Sequence, residues 1–380
     1  MILPKKLRNK LDERIKNNAL RELTQSPALV DFSSNDYLGL AKDTELFQQT
    51  LAFLKAHNCM QNGVGGSRLL TGNHPLYPML ETQLTQFYQC QAALVFSSGY
   101  TANLGLLSAI VQRGDCVLYD QYCHASIRDG LHLGLGTCFK FKHNDLADLE
   151  RVLQKHQHKA LPAQQMYVLT ESIFSMDGDE PDLSAMMDLC DTYHAKLIVD
   201  EAHAVGVFGS GLVPLAGICD RVFARVVTFG KGIGAHGAAV LGTADLKSFL
   251  VNFARSFIYT TGLNPHTLAT LICAHQHIQD STARKALKEN IRYFKAVAAE
   301  LSLPFISSSS AIQCVVIPGN SRVKAIAEQC RNNGFDIRPI LSPTVPEQTE
   351  RLRFCLHSYN TPSQIQKVLT LLHNYLKIKK

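Results

Sequence analysis

The sequence predicts an α/β protein: a large domain on a mainly parallel sheet of seven strands, then a smaller C-terminal α+β domain. Two observations carry that prediction. Seven short apolar runs recur between residues 80 and 245, most of them separated by helix-length stretches of mixed polarity. Beyond them the rhythm changes to a helical stretch, two more strand-like runs and a closing amphipathic helix.

The elements follow in order. Residues 3–23 carry Leu3, Leu7, Leu11, Ile15, Leu20 and Leu23, close to a helical stripe with charges opposite. Such a helix suits packing on the body of the protein or on a partner subunit better than lying on a membrane. The strand-like runs are 93–96, 116–119, 138–141, 166–169, 196–199, 226–229 and 238–241, with helices expected at 144–156 and 184–193. Residues 246–300 read as helical, 311–317 and 352–356 as strands, and 363–376 as a final helix. The organisation expected is an N-terminal helix and arm at 1–45, a large domain at 46–270 and a small one at 271–380.

Composition narrows the class. With 46% hydrophobic and 18% charged residues the chain has the balance of a folded globular enzyme, which excludes a disordered or coiled-coil architecture. No apolar run approaches the roughly 18 residues of a membrane span, and Met1-Ile-Leu-Pro-Lys-Lys lacks a signal core, so a cytoplasmic protein is expected. The cysteine count of 11 is odd and includes no C-x-x-C pair. Thiols such as Cys90, Cys116 and Cys314 are therefore expected reduced, packing as small hydrophobes. The net charge of +6 gathers partly at the two ends, in Lys5-Lys6-Leu7-Arg8-Asn9-Lys10 and Lys377-Ile378-Lys379-Lys380. No basic helix with interleaved aromatics accompanies it, so no nucleic-acid partner is expected.

In open parallel sheets, ligands bind beyond the carboxyl ends of the strands. Here those ends read Ser97-Ser98-Gly99-Tyr100-Thr101-Ala102-Asn103, Asp120-Gln-Tyr-Cys-His124-Ala-Ser126, Glu171-Ser-Ile-Phe-Ser175-Met-Asp-Gly-Asp179, Asp200-Glu-Ala-His203 and Thr228-Phe-Gly-Lys231-Gly232. Ser98-Gly99-Tyr100 serves equally as a simple helix cap or as a phosphate seat. Asp200 closes an apolar strand and needs a cation or several donors. His203 alone would pass for a satisfied core histidine. Lys231, between two glycines just past a buried strand, is the sharpest signal, because an amine there is available for condensation with a carbonyl.

A phosphate seat, a buried carboxylate, a histidine able to stack and a glycine-framed lysine together suit pyridoxal phosphate. A zinc hydrolase using His124, Asp200 and His203 is the competing chemistry, but it lacks H-E-x-x-H or cysteine spacing and leaves Lys231 and Thr228 idle. No metal is expected.

With these residues in view the chain resembles the α-oxoamine synthases, fold-type I pyridoxal-phosphate enzymes. The resemblance is carried by Ser172-Ile-Phe-Ser-Met-Asp-Gly-Asp179, Asp200-Glu-Ala-His203 and Thr228-Phe-Gly-Lys-Gly232, and further by Asn35-Asp-Tyr-Leu-Gly39, Gly65-Gly-Ser-Arg-Leu-Leu-Thr-Gly72, Ser310-Ala-Ile-Gln313 and Thr344-Val-Pro346. It runs in family order from about residue 20 to 360. Val227-Thr-Phe-Gly-Lys231 and Gly237-Ala-Ala-Val-Leu241 are similar to the biotin-pathway member.

The resemblance implies that Lys231 forms the Schiff base, Asp200 pairs with the pyridinium nitrogen, His203 bonds the phenolic oxygen and His124 stacks on the ring. It places Gly99, Tyr100, Ser175 and Thr228 around the cofactor, and Arg353, Arg21, Asn35, His124 and Thr344 around the substrates. It implies L-alanine and a pimeloyl thioester as substrates, joined with loss of carbon dioxide by a homodimer whose segment 63–72 and Thr260-Thr261 reach the partner's site. Glycine C-acetyltransferase activity and a catalytically silent partner subunit are the alternatives, and the presence of Lys231 argues against the second. Two features depart from the pattern. The stretch between Arg21 and Asp31 is short, so an N-terminal hairpin is expected to be missing. His236 and Ala204-Val205 also differ from the usual pocket wall.

Overall fold

The computed structural model describes residues 3–23, 28–157 and 164–377. They fall into two units. The larger comprises Asp36–Ser175 and Glu180–Arg284, and the smaller comprises Met1–Asn35, Met176–Asp179 and Lys285–Lys380.

The larger unit is built on seven strands: β1 (Ala92–Phe96), β2 (Cys116–Asp120), β3 (Thr137–Phe141), β4 (Met166–Glu171), β5 (Lys196–Asp200), β6 (Ala224–Thr228) and β7 (Ala238–Gly242). All seven were legible as apolar runs, with ends that move by at most two residues. Their order is β1-β7-β6-β5-β4-β2-β3. Only β7 runs against its neighbours, and the other pairings are parallel. Every residue of β1, β4 and β6 is buried, as a sheet covered on both faces requires. Successive side chains take opposite faces: Val117, Leu169 and Ile198 join one apolar cluster, and Leu118, Val168 and Leu197 the other. Helices α1 (Gly99–Ile110) and α2 (Ala125–Leu133) supply the first cluster, and α3 (Leu146–Gln157) and α4 (Leu183–Thr192) the second.

In the smaller unit β8 (Ile312–Val316), β9 (Arg338–Ile340) and β10 (Arg351–Cys355) form an antiparallel sheet of order β9-β10-β8, with α5 (Asn320–Asn332) and α6 (Pro362–Lys377). Helix α5, strand β9 and the parallel pairing of Val30–Asp31 with Phe335–Asp336 carry no pattern that the sequence reading detected. Met176–Asp179 belongs here because Asp177 pairs with Arg351 and the Gly178 carbonyl accepts from Ser308 and Ser310.

The N-terminal stripe is helical only over Lys5–Lys16, since Asn18 takes a left-handed conformation that stops the turn. No residue of this helix is buried, and Leu7, Leu11 and Ile15 are exposed. Residues 24–27, within the stretch expected to have lost a hairpin, lie outside the described residues. All eleven cysteines are free thiols. Among the described residues no helix is long and apolar enough to cross a membrane.

Candidate active site

Helix α1 starts immediately after β1, capped by Ser98: its hydroxyl accepts from the Thr101 amide, and the Thr101 hydroxyl accepts from the Ser98 amide. Gly99 and Tyr100 open the helix, so their amides lack intrahelical acceptors and point outward. Gly99 cannot be another residue without movement, because a Cβ there would meet Thr228 Cγ2 at 2.4 Å. The end of β6 and the start of α1 thus form one cradle. The Thr228 hydroxyl donates to the Ala202 carbonyl at 3.3 Å.

Asp200 ends β5 and is buried. One oxygen accepts from Asn103 Nδ2 at 2.7 Å and the other from the Ala202 amide at 2.9 Å. Asn103 lies on α1, and its amide also donates to Ser126 Oγ at 3.0 Å, which stands 2.8 Å from His124 Nδ1. A relay of side chains therefore connects the carboxylate to the imidazole. His124 caps α2, where its Nδ1 accepts from the Ser126 amide. Part of the ring remains exposed, yet burial of the rest holds its pKa below the ordinary value. Its own amide donates to Glu171 Oε1 at 2.6 Å.

Glu171 ends β4 directly opposite Asp200 in the sheet register. Burial, and then the nearby Asp200 charge, raise its pKa far above the usual carboxylate range, against the pull of Lys231. Two carboxyl groups so close cannot both ionise cheaply, and it is Glu171 whose charged form burial and the neighbouring carboxylate disfavour.

Lys231 follows β6 in a tight loop in which the Gly234 amide donates to the Lys231 carbonyl at 2.8 Å. Gly232 is required by close packing: a Cβ would meet the Val205 carbonyl oxygen at 2.4 Å. The amine lies 2.9 Å from His203 Nε2, and the other ring nitrogen lies 2.7 Å from the hydroxyl of the fully buried Tyr37. Ser175 is half-buried, four residues past β4.

Apart from His124, the substrate candidates form two pairs in the smaller unit. Arg353, on β10, donates through Nη2 to Asn35 Oδ1. Arg21 donates through Nη2 to Thr344 Oγ1 at 3.1 Å. His236, a departure from the family pattern, is exposed.

Sequence reading passed over Tyr37 and gave Asn103 no role of its own. Asn103 left a faint signal as a lone amide in an apolar helical run, and Tyr37 none beyond its place in a motif.

The donor set fits pyridoxal phosphate: a cradle of amides and a hydroxyl, a buried carboxylate, a lysine beside a histidine, and a second imidazole, all in one unit. It does not favour zinc, since His124 Nδ1 and both nitrogens of His203 are engaged by protein groups. Among the described residues no metal-holding cluster of His, Cys, Asp or Glu occurs.

Comparison with known proteins agrees. The profile of the aminotransferase class I and II family matches residues 27–372. An 8-amino-7-oxononanoate synthase of Emericella nidulans is 35% identical, the match covering 98% of this chain and 97% of its own. The chain belongs to the 8-amino-7-oxononanoate synthase family. Among solved structures, a serine palmitoyltransferase with pyridoxal phosphate as an internal aldimine matches with a TM-score of 0.87 and 26% identity, over 98% of this chain and 97% of its own. An 8-amino-7-oxononanoate synthase from Francisella tularensis matches with a TM-score of 0.77 and 26% identity, over 93% of this chain and 99% of its own. The fold is that of the fold-type I enzymes, and members of this synthase family are acyltransferases whose cofactor is pyridoxal phosphate.

Proposed function

We propose that this chain condenses L-alanine with a pimeloyl thioester, on coenzyme A or a carrier protein, releasing carbon dioxide and the free thiol to give 8-amino-7-oxononanoate for biotin biosynthesis. The observation that carries this reading is the placing of the Lys231 amine beside His203 at the strand ends that also hold Asp200 and the Gly99–Thr228 cradle. The cofactor, when bound, supplies an electron sink for the charge left on alanine Cα after deprotonation.

The chain's own residues do the rest. Lys231 would hold the cofactor through its Nζ and, once freed, would take the proton from alanine Cα. Asp200 would pair with the ring nitrogen and keep a proton on it. His203 bonds the phenolic oxygen and His124 covers a ring face. The amides of Gly99 and Tyr100, with the hydroxyls of Ser175 and Thr228, hold the phosphate. Arg353, steadied by Asn35, takes the alanine carboxylate and so sets which Cα bond stands across the ring. Arg21 and Thr344 meet the acyl chain.

We assign cofactor binding to the domain 46–270 and propose a cytoplasmic homodimer with sites at the subunit interface. Leu69 and Leu70 are exposed on the segment 63–72, which bridges to Thr261 through Ser67, and the bare stripe of Leu7, Leu11 and Ile15 also needs cover. Sedimentation is expected to give a dimer, and a fully active monomer would remove this part of the reading.

The deciding experiment is absorption of the purified protein before and after L-alanine. A Schiff-base band that alanine shifts, and that Lys231→Ala lacks together with turnover, is the expected result. Turnover at the wild-type rate in Lys231→Ala would overturn the mechanism. In competition, pimeloyl thioester with alanine is expected to exceed acetyl-CoA with glycine by about a hundredfold in kcat/KM, or roughly 2.7 kcal/mol. The extra buried methylenes of the longer chain are the source, each contributing about 0.8 kcal/mol. Reversed preference would move the chain to glycine C-acetyltransferase activity.

A further inference from the structure

His203 stands between two groups that place opposite demands on it. Lys231 Nζ is 2.9 Å from Nε2, and Tyr37 Oη is 2.7 Å from Nδ1. Both His203 and Tyr37 are buried, so their proton arrangement is set by these neighbours more than by bulk water. A neutral imidazole carries one proton, which makes one nitrogen a donor and the other an acceptor.

An ammonium has no lone pair. While Lys231 is charged, Nε2 must accept from it, the ring proton sits on Nδ1, and Nδ1–H donates to the Tyr37 oxygen. Once Nζ is committed to the cofactor's carbonyl carbon, Nε2 has no ammonium to accept from, and the phenolic oxygen expected there calls for a donor. Nε2 must then carry the proton, and Nδ1 needs a hydrogen from outside. A hydroxyl is a side-chain group that meets both demands, because it accepts in the first state and donates in the second. Phenylalanine, with the same ring, meets neither.

We propose that Tyr37 is a positioning residue whose hydroxyl lets His203 change tautomer when the cofactor is loaded. The exchange balances. One proton passes from the Lys231 ammonium to Nε2, and the proton on Nδ1 leaves to solvent. Tyr37 keeps its own proton and turns it toward Nδ1. The amine, now neutral, attacks the aldehyde carbon, and the aldehyde oxygen departs as water. His203 thus helps to release the nucleophile and arrives in the form that can donate to the phenolic oxygen. This inference rests on Lys231 as the point of cofactor attachment.

The test is nitrogen-15 NMR of histidine-labelled protein, with His203 assigned by the signals lost in His203→Asn. In wild-type protein freed of cofactor at neutral pH, His203 is expected to show a protonated Nδ1 and a bare Nε2. Addition of pyridoxal phosphate is expected to exchange the two. The same protonated nitrogen in both states overturns the proposal, and this pair of spectra decides it even when a variant does not fold. In loaded Tyr37→Phe, His203 is expected to populate a mixture of forms. kcat should fall about tenfold, with KM for alanine nearly unchanged. Wild-type spectra in that variant also overturn the proposal. Lys231→Ala separates the two readings: a Schiff-base band surviving in it faults the attachment point on which both rest, whereas loss of that band with an unchanged His203 tautomer in wild-type protein faults the role of Tyr37 alone.

Discussion

Asn103 Nδ2 donates to Asp200 Oδ2 at 2.7 Å, and the same amide donates its second hydrogen to Ser126 Oγ, beside His124. One side chain on α1 therefore steadies both the carboxylate proposed for the cofactor's ring nitrogen and the imidazole proposed for its face. Asn103→Leu should leave an oxygen of Asp200 short of a donor in a buried place, at a cost of about 1–3 kcal/mol. Weaker cofactor binding, read by titrating the apoprotein with pyridoxal phosphate, is the expected outcome. Unchanged affinity would show that the contact is incidental.

Asp200→Asn should keep bound cofactor and lose most turnover. An amide still hydrogen-bonds the ring nitrogen but cannot hold a proton on it. Loss of a buried ionic partner of this kind costs about 3–5 kcal/mol. Turnover reduced by at least about a hundredfold, with the absorption band retained, is the expected pair of readings. Near-normal turnover would make Asp200 purely structural.

Gly99→Ala places a methyl 2.4 Å from Thr228 Cγ2, so α1 must draw back from the end of β6. Overpacking of this kind costs about 1–3 kcal/mol, and here it should appear as lost affinity for the cofactor phosphate. Gly99→Ala combined with Thr228→Ser removes the opposing methyl and keeps the hydroxyl, so affinity should recover. A double variant no better than the single one would sink the cradle argument.

His275 gives the pH prediction. It is wholly buried: Nδ1–H donates to the Leu271 carbonyl at 2.8 Å, and Nε2 accepts from Tyr88 at 3.0 Å. A second proton has no place, and burial lowers its pKa to about 4 even though the Leu271 carbonyl favours the charged ring. The unfolded chain takes up that proton near pH 6.5 and the folded one resists until about 4. Stability should therefore fall as pH drops through that window, by about 3 kcal/mol in all. Urea unfolding at stepped pH is the measurement, and His275→Gln should flatten the slope. His124, whose pKa burial also lowers, contributes in the same direction.

How much was legible in advance depends on the distance over which each feature is decided. The apolar runs that became β1 to β7 declare themselves within five or six residues, because a strand buried on both faces, as β1, β4 and β6 are, must be apolar nearly throughout. Lys231 was visible for the same local reason: an amine between glycines at the end of such a strand has no packing role. Other features depend on what lies across the fold. That β7 enters between β1 and β6 and runs against both is a choice of partner, and no residue in Ala238–Gly242 encodes it alone. Gly232 stood out only as a neighbour of Lys231, and its close approach to Val205 is a product of the fold. Asn103 and Tyr37 acquired meaning only when residues 97 and 166 positions away in the chain came within hydrogen-bonding distance. Composition and periodicity determined the elements and the chemistry offered at their ends. The tertiary structure decided which donors meet which acceptors, because a hydrogen bond depends on distance in space and its partner's position in the chain leaves no mark on local pattern.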